Sequence, residues 1–167
     1  MPKPRAFRKG PIGAIIDELE TALEDYKTIL KKVSEEDFVK IVVPKGGNPN
    51  LRSIQGITDH VLRCGYFYPT MVVRNKFPSE NVQAPAVKNL KTKSDYIKAF
   101  NEMLIYNENL MKRIKPIEMF ELDGAKQINT GWGLYDYEQI MEHGIVHVYR
   151  HRRQVQQFIL KMSEEKI

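Results

Sequence analysis

Cys64 is the only cysteine in this 167-residue chain, so no disulfide can close within it. No apolar run approaches the roughly 20 residues needed to cross a bilayer. The start of the chain, Met1 to Gly10, is basic, yet no apolar secretory segment follows it. Residues Pro11 to Ile16 are apolar but few, and acidic residues come next. These absences point to a cytoplasmic protein with no membrane partner. Tryptophan occurs once, at Trp132, and histidine only four times. There is no internal repeat, low-complexity tract or inner boundary, so residues 1–167 are expected to form a single domain with a sizeable core.

The formal net charge is +5, from 26 basic and 21 acidic side chains. A nucleic-acid binder would gather its excess charge into one patch. Here Lys and Arg are spread along the chain, with small clusters at residues 3–9 and 150–153. The scatter reads as a solvated surface and argues against nucleic acid. Arg150, Arg152 and Arg153 read as a polar face that pairs with acids.

Apolar residues recur at helical spacing in four segments. The first runs from Pro11 to Lys32, with Gly10 as its cap and Ile15, Leu19, Leu23, Tyr26 and Leu30 as its stripe. The Ser34–Asp37 run interrupts it, and Phe38 to Val43 reads as extended. The second helix is expected from Ser53 to Arg74, with Pro69 kinking it or leaning on a neighbour. Residues Phe77 to Val87 read as loop. The third helix is expected from Ser94, capped there, to just before Pro116. A long irregular connection, residues 116–134, precedes the fourth helix, Asp136 to Glu164. Four amphipathic helices in one small domain predict an all-α fold, a four-helix bundle with a long loop before the last helix.

Three of the four histidines, His143, His147 and His151, stand four apart in E-H-G-I-V-H-V-Y-R-H-R-R-Q. Side chains at i and i+4 lie one above the other, so two of them can grip one ion. The apolar stripe of the last helix centres on the Ile140–Phe158 side. His151 falls nearest that centre, His147 slightly off it and His143 toward the polar flank. The facing favours His147 with His151, while His143 remains an alternative ligand. His60 borders the stripe of the second helix near Ile57, Cys64 and Met71, and it too can face inward. Three imidazoles from two helices leave positions open for water or substrate, the style of a catalytic site. Gln154 is placed to hydrogen-bond a ligating imidazole. Cys64, one turn after His60, reads as a core thiol or an extra ligand. Trp132 and Tyr137 read as loop anchors or as the lining of a substrate pocket. Tyr66, Tyr68 and Tyr149 read as packing residues with water-facing hydroxyls.

Two segments, S-I-Q-G-I-T-D-H-V at residues 53–61 and the histidine run before Gln154, resemble the DinB-like family of helical bundles. That family includes damage-inducible proteins and thiol-transferase relatives. The loop W-G-L-Y-D-Y-E is similar as well. The motifs cover about a fifth of the chain. The resemblance implies a divalent metal, zinc or nickel, held by His60, His147 and His151. It also implies a metal-dependent enzyme, foremost a transferase that activates a low-molecular-weight thiol, with a hydrolase acting on water as a variant. Arg52 and the Arg152–Arg153 pair depart from the residues usual at those family positions. The alternative is a non-catalytic metal-binding or stress-response bundle. An extra exposed apolar helix face is compatible with a homodimer.

Overall fold

The computed structural model describes residues 6–45, 48–88, 90–120 and 127–164. The fold is all-α in character. Its helices are α1 (Gly10–Lys32), α2 (Glu35–Val39), α3 (Ile54–Lys76), α4 (Lys93–Met111) and α5 (Tyr137–Glu164). Two single 3₁₀ turns, Pro49–Leu51 and Pro116–Glu118, join them. A two-stranded antiparallel hairpin, β1 (Ile128–Asn129) and β2 (Leu134–Tyr135), precedes α5. Among the described residues no helix is long and apolar enough to cross a membrane.

The four long helices stand where the apolar periodicity places them, and the differences lie at their ends. Ser34 does not merely interrupt: its side chain accepts from the Asp37 N–H and caps α2, so Phe38 and Val39 are helical rather than extended. Three acidic residues in the first turn of α2 suit the positive end of its dipole. The cap of α4 is Thr92, not Ser94. Thr92 accepts from the Asp95 N–H while Asp95 accepts from the Thr92 N–H, a reciprocal capping box. The end of α4 comes at Met111, and the chain tightens through Arg113 N–H to Leu110 and Ile114 N–H to Met111. Pro116 disfavours helix just ahead of it, which accounts for the early stop. The expected irregular connection contains the hairpin and the second 3₁₀ turn, while its residues 121–126 fall outside the described set.

Helix α1 packs on α4 and α5, and α3 packs on the same two helices. Inside the ring so formed, the Tyr26 hydroxyl of α1 meets the Thr58 hydroxyl of α3 at 3.2 Å. Thr58 gives its own hydrogen to the Ile54 carbonyl, so Tyr26 is the donor. Side-chain partners fix the directions. Tyr26 against Thr58 and Ile16 alongside Val72 set α1 antiparallel to α3. Asp59 and Arg63 beside Tyr96, and Thr70 against Tyr106 further along both helices, set α4 parallel to α3. Parallel neighbours need a long return segment, and residues 77–92 supply it. It is tied down where Arg74 donates to the Val82 carbonyl at 2.5 Å and Arg63 to the Val87 carbonyl at 3.0 Å.

The buried side chains form two apolar clusters. One gathers Leu19–Leu30 of α1, Ile54–Leu62 of α3, Phe100 and Met103 of α4 and Val148–Met162 of α5. The other gathers Ile15 and Ile16, Tyr68–Val73, Met111 and Ile140–Met141. Between them lies a more polar level, and Pro69 explains part of it. Proline has no N–H to give the carbonyl four residues back. That carbonyl, on Gly65, instead accepts from Asn107 Nδ2 at 2.9 Å. Asn107 is 1% exposed, so no solvent could take its place. The expected kink or lean at Pro69 is thus met by a side chain from the neighbouring helix.

Asn107→Ala leaves the Gly65 carbonyl unpaired and is expected to cost about 1–3 kcal/mol of stability, measured by urea unfolding. In a Pro69→Ala background the new N–H can take that carbonyl, so the cost of Asn107→Ala should shrink. An equal cost in both backgrounds would remove the link to Pro69.

Candidate metal centre

Two rows of side chains at four-residue spacing face each other across the α3–α5 contact. Helix α3 presents His60, Cys64 and Tyr68, and α5 presents His151, His147 and His143 in the opposite chain direction. His60 stands two turns into α3, whose start is fixed by Ser53 accepting from the Gly56 N–H at 3.0 Å. His60 Nε2 lies 3.1 Å from His147 Nε2, and His151 Nε2 lies 3.2 Å from the same atom. His147 is therefore the shared middle member of the three. A tetrahedral zinc site with bonds of about 2.0–2.1 Å would separate its nitrogens by about 3.3 Å. The two spacings from His147 are near that edge length.

The imidazole of His151 is 5% exposed, and its Nδ1 lies 2.9 Å from Gln154 Oε1. An amide oxygen only accepts, so Nδ1 carries the hydrogen and Nε2 offers its lone pair to the cluster. Cys64 Sγ lies 3.7 Å from His60 Nε2, and the donor atoms of His60, Cys64 and His147 all fall within 4.8 Å of one another. These three residues form a group able to hold a metal ion.

The aromatic ring of Tyr68 closes the far end of the row. Tyr68 is 4% exposed, so it is not the water-facing tyrosine expected. Gly144 makes room for this ring: a Cβ there would stand 3.0 Å from Tyr68 Cδ2. Carbon atoms pack at about 3.5–4.0 Å, so an added Cβ would require the ring to give way by a few tenths of an ångström.

His143 takes no part in the nitrogen cluster. Its ring stacks on Trp132 at 5.0 Å with a 15° tilt, and it meets Tyr68 and Tyr135 edge-on. With Met71, Thr130 and Ile140 these side chains line a small apolar pocket beside His147. Trp132 therefore lines this pocket, but Tyr137 does not. Tyr137 is buried in the apolar cluster and donates to Asn75 Oδ1 at 2.7 Å. Tyr135 and Tyr68 were not foreseen in this role. The four-residue spacing from His60 to Tyr68 is the signal that could have exposed Tyr68. Arg152 turns away from the site to Asp25 of α1 at 2.5 Å, as expected of a surface pair.

Burial is the main influence on the charges. It lowers the pKa of His147 to about 3, helped by the nearby His151, His60, His143 and Arg150. Burial also lowers His60, partly offset by Asp59, and lowers His151, partly offset by the Gln154 hydrogen bond. All three imidazoles are neutral at neutral pH, the form that binds metal. Burial raises the Cys64 thiol, partly offset by Tyr68.

Comparisons of the chain with family models, curated proteins and solved structures return no match.

The lowered histidines tie stability to pH in the metal-free chain. Unfolded, a histidine titrates near 6.5, and folded, His147 holds out to about 3. Between those values the unfolded chain binds more protons, so stability falls as pH drops through that window. Thermal melting of metal-free protein between about pH 7 and about pH 5 should show this loss. The loss should be smaller in His147→Gln, which has nothing to protonate. Equal losses in both proteins would place the acid sensitivity elsewhere.

Proposed function

We propose that this chain is a divalent-metal-dependent thiol transferase of the DinB-like four-helix-bundle type, with His60, His147 and His151 as its metal ligands. The observation that carries this reading is the meeting of three Nε2 atoms from two helices at 3.1 and 3.2 Å, with His151 already turned by Gln154. The donor set suits zinc or nickel. When bound, the ion would hold a small thiol as thiolate, its nucleophilic form.

The chain's own residues do the remainder. Gln154 keeps the His151 hydrogen on Nδ1, so Nε2 stays a donor of electrons. Tyr68 stands one turn beyond Cys64, its ring edge-on to His147 at 5.8 Å between centroids. Trp132, Tyr135, Met71, Ile140 and His143 give an apolar wall against which the electrophile can lie. This wall adjoins His147 and so borders the place where the thiol would sit. A hydrolase would use the same ligands with water in place of the thiol.

A non-catalytic metal-binding protein is the second reading, and one observation favours it. Cys64 forms with His60 and His147 a group able to hold a metal, and His151 would add a fourth ligand to it. Closed sets of this kind are typical of structural zinc.

Elemental analysis of protein purified without a histidine tag tests the ligand set. About one metal per chain is expected in the wild type and in His143→Ala. Loss of that metal is expected in His60→Ala, His147→Ala and His151→Ala. Wild-type protein that takes up neither zinc nor nickel would defeat the reading. The loaded protein should then turn over a small thiol with an apolar electrophile. Metal without turnover would favour the non-catalytic reading.

A further inference from the structure

Cys64 differs from an ordinary core thiol in what surrounds it. Its sulfur lies 3.8 Å from His60 Nδ1 and 3.7 Å from His60 Nε2. It shares a 4.8 Å sphere of donor atoms with His60 and His147. Zinc bonds of about 2.3 Å to sulfur and about 2.05 Å to nitrogen give a tetrahedral sulfur–nitrogen edge of about 3.6 Å. The His60–Cys64 spacing is close to that edge. The same helix face supplies both groups, since they stand four residues apart. Tyr68, packed against Gly144, stands one turn further along the same face.

On its other side Cys64 borders a shallow apolar cleft with Arg63, Phe67 and the return segment Ala84–Val87. A side chain in this position has two places to be. It can point among the imidazoles or swing toward the cleft.

We propose that Cys64 is the displaceable fourth ligand of the resting centre, holding the coordination position that an incoming thiol takes. This inference rests on the metal reading given above. The exchange needs no oxidant or reductant. Metal uptake releases the Cys64 proton to water. The arriving thiol then gives its proton to the Cys64 thiolate, one sulfur–metal bond forms as the other breaks, and Cys64 leaves as a neutral thiol toward the cleft. The resting centre is thereby closed to water until a thiol arrives. The structural-looking set of four ligands and the open catalytic set become two states of one site.

Cobalt(II) reports thiolate ligation directly, because sulfur bound to it gives an intense near-ultraviolet charge-transfer band. The test uses the full chain loaded with cobalt(II) in thiol-free buffer, with cobalt measured by elemental analysis. Cys64 is the only cysteine, so a band in the wild type identifies it without any variant. The expected result is that band in the wild type and its loss in Cys64→Ser with cobalt retained. Adding 2-mercaptoethanol to cobalt-loaded Cys64→Ser should bring the band back, since the position is then open to an external thiol. Cobalt bound to the wild type without the band would overturn the role of Cys64 and leave the three-histidine reading standing. A Cys64→Ser protein that keeps cobalt but shows no band with added thiol would overturn the exchange. Failure of the wild type to bind cobalt would overturn both readings together.

Discussion

The contact between Tyr68 and the bare backbone of Gly144 is where α3 and α5 come close beside the histidines. A single added carbon at position 144 would stand 3.0 Å from the ring, inside normal packing distance. Because the helices approach this closely, His60 reaches His147 and Cys64 enters the same group of donor atoms. The two rows, His60–Cys64–Tyr68 and His151–His147–His143, each advance one turn and about 40° per step. Facing rows with the same drift stay in contact over three steps, where rows of unlike spacing would part after one. The metal-binding group and the aromatic pocket are thus neighbouring stretches of one helix–helix seam.

The level at which these rows meet is also where the two apolar clusters adjoin. Polar groups at such a depth must find partners within the protein. The Gly65 carbonyl, freed by Pro69, finds Asn107, and His151 finds Gln154. The neutral imidazoles fit the same rule, since burial disfavours their charged forms. A metal ion would satisfy the remaining nitrogen lone pairs without bringing protons into the core. The electrostatics of the level therefore favour a ligand that binds neutral nitrogen.

Much of the helical framework was legible in the sequence because amphipathic stripes are set by a period that local physics fixes. Ile15 to Leu30 in α1 and Ile140 to Met162 in α5 are buried as their spacing requires. The burial of His151 follows from the same arithmetic, whereas His143, expected toward the polar flank, packs against Tyr68 and Trp132. The element ends were less legible. Ser34, Ser94 and Thr92 are all competent caps, and the choice of Thr92 depends on the reciprocal bonds with Asp95. The hairpin that carries Trp132 onto His143 left little trace, since two-residue strands have no period to read. What Tyr68 and Asn107 pack against was illegible for a different reason. Their roles depend on a partner helix, Gly144 for one and the carbonyl behind Pro69 for the other, and no single segment encodes that pairing. Arg8 likewise joins Asp17, Glu20 and Glu108, binding the start of the described chain to α1 and α4 through a network that periodicity cannot foresee.

The most direct test of the three-histidine centre is X-ray absorption at the metal edge of the zinc-loaded full chain. The expected spectrum has nitrogen neighbours at about 2.0–2.1 Å and one sulfur at about 2.3 Å, with outer-shell scattering that counts three imidazoles. A shell dominated by oxygen, or one that counts a single imidazole, would contradict the placement of the metal between His60, His147 and His151.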